Sequence, residues 1–482
     1  MSIAGNLRGP ALSSRGSMPR ARPLLVLLPL LLTDCARGSA ADPSGSAPPT
    51  VAVTPSASSS ASSACPPAAT PDTGAGRRLA ELLAATNAPS RAAAEAFVTT
   101  AMTDEARARL GDFVVGNAGD ALTLELCRVE SSGARELAAI VGGANGAGQI
   151  EYAVIVLAVD DHVRVTSLGV RPVVKDDLET PSASLDAEDI GRIVEGVANS
   201  VADYVFADKA VAMAARLRDA RAAGEYAEIT SGHVLAHRLA EDLFAVTRDK
   251  HLDVIYQATP PEPPRPPTPE ELARLEQRAQ HDNHGMPIAE LREGNIGYLK
   301  VIGFLPSELA ADAISTTMSS LADADALVID LRENGGGSPD GVAFMTSYLF
   351  GETRVHLNDL YSRRLDHTES FFTSPDAPGR RFGPDKPVYV LTSARTFSAA
   401  EEFAYNLQAQ QRATIVGEVT GGGAHPIEPI LIADHWTLLL PTSRAINPIT
   451  KTNWEGVGVQ PDIAVPADRA LDEALARARA SR

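Results

Sequence analysis

Cysteine is scarce: the 482-residue chain has three, Cys35, Cys65 and Cys127. They lie far apart and none sits at a zinc-ligand or redox-motif spacing, so neither a cysteine metal site nor a disulfide framework is expected. Positive charge is also short, with 43 Lys and Arg against 61 Asp and Glu, a formal net charge of -18. Phosphate backbones repel such a chain, which argues against a nucleic-acid partner. The apolar run Leu24 to Leu32 is too short for an ordinary transmembrane helix. The glycine-rich turn at Gly335–Gly337 is not followed by Gly-Lys-Ser/Thr, which argues against a phosphate loop. No cofactor and no metal are expected.

What is present begins with an export signal. Arg8, Arg15, Arg20 and Arg22 precede the short apolar core, and Met18 offers a more compact start. The stretch ends in Leu32-Thr33-Asp34-Cys35, which resembles a bacterial lipoprotein box except that Asp34 stands where a small residue is usual. Residues 1–35 are therefore expected to direct the chain to the cell envelope or outside it, with Cys35 as a lipidation site and membrane anchor. Residues 36–75 are dominated by Ala, Ser, Pro and Thr, cannot bury enough apolar surface to order themselves, and read as a tether.

The remainder has ordinary globular composition, 44% hydrophobic and 22% charged. Residues 76–175 pair a helical stretch with four strand-like runs, LTLELCRV, ELAAIVGG, EYAVIVLAV and HVRVTSLGV, and predict a small α+β domain of unassigned role. Within it His162 and Cys127 read as structural. Residues 185–256 predict a helical region, and 257–287, containing PPEPPRPPTPEE, a linker without regular structure. From 288 to 467 short apolar strands alternate with helices, the pattern of parallel pairing in an α/β layer. Residues 468–482 close the chain as a helix or tail.

The chemistry-bearing residues fall at strand–helix joints of that α/β segment. In Thr392-Ser393-Ala394-Arg395-Thr396-Phe397-Ser398, a strand turns into a helix and leaves Ser398 at the helix start. Free backbone N–H groups and the helix dipole there could stabilise an oxyanion. Ser398 followed by Glu401 is equally an ordinary capping box. The turn Glu333-Asn334-Gly335-Gly336-Gly337 could aim N–H groups at a ligand oxygen, or simply be flexible. Two more glycine-rich loops follow, Gly417 to Pro426 and Asn453 to Ile463.

Taken in order, DKHL, GNIGYLKVIGF, DLRENGGG, TSARTFSAAEEF, GEVTGGGAHP and TNWEGVGVQPDI make residues 185–467 resemble the carboxy-terminal processing (tail-specific) serine peptidases. The branch most similar is the one with interphotoreceptor retinoid-binding protein and the tricorn core protease. The resemblance implies a ClpP/crotonase-like α/β core behind a helical region, and hydrolysis of a polypeptide substrate with Ser398 as nucleophile. Better-known members use a lysine about two dozen residues after the serine; here that loop carries Gly423, and no PDZ domain is evident. Tricorn-like members instead imply a histidine base from the helical region and an acidic residue near the carboxy end, which carry over to His251 and Glu455. Gly336, Gly337 and Ala399 are the implied oxyanion donors.

Imidazole titrates near neutrality and suits a base that accepts and returns a proton, with a carboxylate to orient it. An unperturbed base would make the rate fall as pH drops through roughly 6 to 7. His425, near the glycine loop, is the second candidate base. His233 and His237, spaced i, i+4, could ligate a metal but lack a third ligand and read as a solvated face; Lys250 reads as a surface charge. The alternative function is a catalytically silent module that binds an apolar ligand or peptide on the same fold.

Overall fold

The computed structural model describes residues 65–116, 118, 123–144, 150–173, 175–261, 265 and 267–480. The expected export signal, Cys35 and most of the expected tether lie outside the described residues. Order starts earlier than composition suggests. Cys65 forms a disulfide with Cys127, their Cα atoms 5.5 Å apart, and Ala68 N–H donates to Leu126 O at 2.9 Å. The expectation of no disulfide framework is therefore corrected to one bridge among the described residues: 62 residues of sequence separate two positions that folding brings together.

Helix α1 (Gly74–Thr86) starts on Thr73, whose hydroxyl accepts from Gly76 N–H. After α2 (Ala92–Ala101) and α3 (Asp104–Gly116) come β1 (Glu125–Ser132), β2 (Glu136–Ala144), β3 (Ile150–Val159) and β4 (Val165–Pro172). The four strands form one antiparallel sheet in chain order. Leu137, Ala139, Ile155 and Leu157 pack on the α1–α3 side, while Ala138, Val154 and Val156 join the core of the helical region that follows. A sheet covered on both faces explains strands that run apolar instead of alternating.

Beyond the short α4 (Lys175–Glu179), helices α5 (Ala187–Ser200), α6 (Ala207–Ala222) and α7 (Gly232–Thr247) build the helical region. Asp186 caps α5 in a full capping box with Asp189. Helix α7 is buried on nearly every side between the small sheet and its sister helices. His233 and His237, each only 3% exposed, are therefore not on a solvated face. His237 Nε2 bonds Ser167 Oγ of β4 at 2.7 Å, and His233 packs edge-on against Tyr256.

Helix α7 ends on Arg248 in the left-handed region (φ 61°), and the chain turns into β5 (Asp253–Tyr256). The segment expected to lack regular structure contains α8 (Pro269–His281). Its proline lies in the first turn, where no N–H is needed, and Thr268 with Glu271 closes a capping box. Then follow β6 (Ile288–Arg292), β7 (Ile296–Lys300), α9 (Ser307–Ser320), β8 (Ala326–Asp330), α10 (Pro339–Thr346), β9 (His356–Ser362), β10 (His367–Phe372), β11 (Val388–Thr392) and α11 (Ala399–Ala409). The chain closes with β12 (Thr414–Gly417), β13 (Ile427–Ala433), β14 (Trp436–Pro441), β15 (Ser443–Ile446), β16 (Ile463–Ala464) and α12 (Ala470–Ala480).

The central sheet has the order β16-β12-β11-β8-β7-β6, parallel throughout except for the β6 edge. Alternate residues feed two cores. Leu327, Ile329, Val388, Val390 and Ile415 face α9, α10 and α11, whereas Ala326, Val328, Tyr389, Leu391 and Val416 face α12. The expectation of purely parallel pairing from 288 onward needs correction. Strands β13, β14 and β5 form a separate antiparallel sheet, and β10, β9 and β15 another. The first of these ties the end of the helical region directly to the α/β layer.

Candidate active site

The carboxyl ends of β8 and β11 in the parallel sheet lead into the two loops that carry the site. They lock together through Ser393 Oγ to Arg332 O, Thr396 Oγ1 to Leu331 O at 2.8 Å, and Phe397 N–H to Asn334 O at 3.1 Å. Ser398 thereby stands at the head of α11 with φ 55° and ψ -121°. An ordinary N-cap lies in the extended region. A non-glycine residue at this φ is strained by about 1–3 kcal/mol, and such strain clusters at functional sites. Half of the capping box is present, since Glu401 accepts the Ser398 N–H at 2.9 Å.

The glycine turn lies against this serine. A Cβ on Gly336 would fall 2.8 Å from Ser398 Cβ and 3.2 Å from Ala399 N, so only a bare backbone approaches so closely. The Gly336 N–H itself donates to Asn334 Oδ1 at 2.9 Å. Phe304 holds the turn by donating its N–H to Gly336 O at 2.9 Å and accepting the Ser338 N–H at 2.7 Å.

His251 arrives from the α7–β5 turn. Its ring packs 4.6 Å from that of Phe397, the residue before Ser398. A Cβ on Gly423 would meet His251 Cε1 at 2.6 Å and the Phe397 ring at 2.3 Å. The imidazole thus occupies the space that a side chain at 423 would need. Burial pushes His251 down to about 4, opposed by Asp249, so the expected titration at 6 to 7 is corrected to a lower range. The Nδ1 atom is buried without a hydrogen-bond partner.

Two carboxylates flank the ring: donor and acceptor atoms of Asp249, His251 and Glu455 all lie within 4.8 Å of one another. That spacing would also suit a metal ion, but both Asp249 oxygens are occupied. Oδ1 accepts the His251 N–H at 3.0 Å, while Oδ2 accepts Tyr204 OH at 2.9 Å and pairs with His425 Nδ1 at 2.7 Å. Glu455 accepts Ala424 N–H at 2.6 Å, and burial, with Asp249 nearby, raises it to about 7.

Glu401 braces the loop that holds Gly423, accepting N–H bonds from Gly422 at 2.6 Å and Gly423 at 2.9 Å. Lys250 is exposed, but it is more than a free surface charge, because its Nζ donates to Gly421 O at 2.6 Å. Gly336 thus lies against Ser398 and Ala399, His251 packs on Phe397 next to the serine, and Asp249, Glu455 and His425 cluster beside His251. Sequence reasoning missed Asp249, although it lies two residues before His251 in DKHL. A cavity of ≈ 610 Å³ beside the start of α10, lined by Asp340, Phe344, Arg354 and Phe372, includes none of these groups.

Comparison with known proteins now bears on the site. Residues 295–465 match the model of peptidase family S41, and 187–285 match the N-terminal domain of Peptidase_S41 in eukaryotic IRBP. A carboxy-terminal-processing protease of Bartonella bacilliformis is 30% identical over 177 residues, 36% of this chain and 39% of that protein. The chloroplastic carboxyl-terminal-processing peptidase 2 of Arabidopsis thaliana is 29% identical over 185 residues, 37% of this chain and 33% of its own length. The match thus spans well under half of either relative. The crystal structure of the tricorn protease aligns with 74% of this chain and 46% of its own at 10% identity and a TM-score of 0.37.

Proposed function

Since the segment from 187 to 465 belongs to peptidase family S41, we propose that the chain is an exported serine peptidase in which Ser398, His251 and Glu455 act as nucleophile, base and orienting acid. The observation that carries this reading is the strained Ser398 at the head of α11, with a bare glycine turn against it and the partly buried imidazole of His251 packed on the preceding residue, Phe397. The six-stranded sheet with its layers of helices is read as a ClpP/crotonase-like core.

In the proposed reaction Ser398 Oγ attacks the carbonyl carbon of a polypeptide as its proton passes to His251. The carbonyl electron pair moves onto oxygen, where the N–H groups of Ala399 and Gly337 receive it. Gly336 serves in the turn through its bond to Asn334. Collapse of that oxyanion breaks the C–N bond, the imidazolium returns its proton to the leaving amine, and an acyl-enzyme remains. Water, deprotonated by the same imidazole, releases the second product and restores Ser398.

A fluorophosphonate probe tests the reading. It should label the protein at Ser398 and leave Ser398→Ala unlabelled. An unlabelled wild type would instead favour the silent binding module.

Export is supported by the Cys65–Cys127 bridge, since disulfides persist in oxidising compartments. Among the described residues no helix is long and apolar enough to cross a membrane. Lipidation of Cys35 would supply an anchor. A fatty-acid analogue should mark the wild type but not Cys35→Ser, and an unmarked wild type released to the medium would count against it.

A further inference from the structure

The histidine of the proposed site is flanked by two carboxylates, and the one not assigned to it from the sequence is the better held. Asp249 is 1% exposed and leaves no carboxylate oxygen idle. Oδ1 accepts the backbone N–H of His251, which fixes the carboxylate beside that residue. Oδ2 accepts Tyr204 OH and pairs with His425 Nδ1, both from buried side chains. Glu455 approaches the same cluster at 3.5 Å from His425 Nδ1, held through its bond to Ala424 N–H.

We propose that Asp249, braced by Tyr204 and His425, is the positioning residue that supplies the negative charge opposite His251 when the imidazole takes up the serine proton. This rests on the peptidase reading above and adds a second carboxylate to it. Two carboxylates in one buried space cannot both ionise cheaply. Asp249 is held below the usual carboxylate range by its bonds to His425 and His251 against the cost of burial, while Glu455 is pushed up. With three partners on its oxygens against one N–H on Glu455, Asp249 is the better-satisfied anion of the two. One of its oxygens lies within 4.8 Å of a His251 ring nitrogen, so the imidazolium would form beside a fixed anion. The titratable groups around Asp249 are His251, His425, Glu455 and Tyr204, with Asp208 and Glu401 farther out.

The test compares kcat, KM and pH profile for Asp249→Asn and Glu455→Gln on a cleavable peptide. Asp249→Asn should lower kcat by about 10²- to 10⁴-fold with KM nearly unchanged, as when a triad carboxylate is removed. Its acid limb should move to lower pH, because the charge that favours protonated His251 is gone. Loss of packing would not move that limb in this direction. Tyr204→Phe and His425→Gln keep the carboxylate but remove a brace, and each should cost about tenfold in kcat, in the range of one lost hydrogen bond to a charged group. The inference is overturned if Asp249→Asn keeps kcat within about threefold of wild type, or if Glu455→Gln alone gives the larger loss and the limb shift. If Asp249→Asn fails to fold, unaltered kcat in both brace variants overturns it instead. Ser398→Ala separates the two levels: an active Ser398→Ala removes the peptidase reading, whereas an inactive one beside an active Asp249→Asn removes only this inference.

Discussion

At His251 burial and charge pull in opposite directions. Desolvation disfavours the imidazolium, Asp249 favours it, and burial wins, leaving the ring neutral down to about pH 4. A neutral ring is the form a general base must have, so a peptidase built this way keeps its base available in mildly acidic surroundings. In the Ser398→Ala protein, the His251 ring resonances followed by NMR should hold steady from pH 8 to 5 and move only near 4. A midpoint between 6 and 7 would contradict the burial argument. The sequence motif DKHL brought His251 forward, but not its environment, because desolvation depends on Phe397 and the Gly423 loop, which lie far along the chain. The same distance hid Asp249, whose partners Tyr204 and His425 lie 45 and 176 residues away.

Helix α11 starts at Ser398 and carries two buried acids in its first turn, Glu401 and Glu402, which do different work. Glu401 ties the helix start to the glycine loop through Ser398, Gly422 and Gly423 N–H groups. Glu402 is 3% exposed, its Oε1 lacks a partner, and burial raises it to about 8. A carboxyl raised in the fold contributes stability that is full below its unfolded value, about 4.3, and is lost as pH rises toward 8. Glu402→Gln should therefore melt higher than wild type at pH 8, by a free energy on the order of a few kcal/mol, with the gain vanishing near pH 4. Equal melting temperatures at both pH values would show that Glu402 is not buried as a neutral acid. Much of this element level was legible in the sequence. Apolar runs bounded by turns located β7, β8, β11 and β12, and helical spacing located α5 to α7. Helix α8 was hidden by the prolines before it, although Thr268-Pro269-Glu270-Glu271 is a sound helix start. Antiparallel pairing of β5 with β14 was not legible, because no local pattern reports a partner about 180 residues away.

Across the whole molecule, α7 is the shared wall between the small antiparallel sheet and the peptidase portion. Its apolar residues lie in the same core as Ala138, Val154 and Val156 of the sheet, and Arg171 of β4 pairs with Asp253 of β5 at 2.6 Å. The turn that presents His251 lies between α7 and β5, so this proposed base is positioned by both portions, while Ser398 is carried by the loop after β11 of the parallel sheet. The central claim is that these two residues, carried by different elements of the fold, act as one unit. The most direct measurement is a double-mutant cycle on a cleavable peptide with Ser398→Ala, His251→Ala and the pair. Each single change should lower kcat by several orders of magnitude, and combining them should cost little more, as for groups that work together. Near-wild-type turnover in His251→Ala, or losses that simply add, would contradict the account.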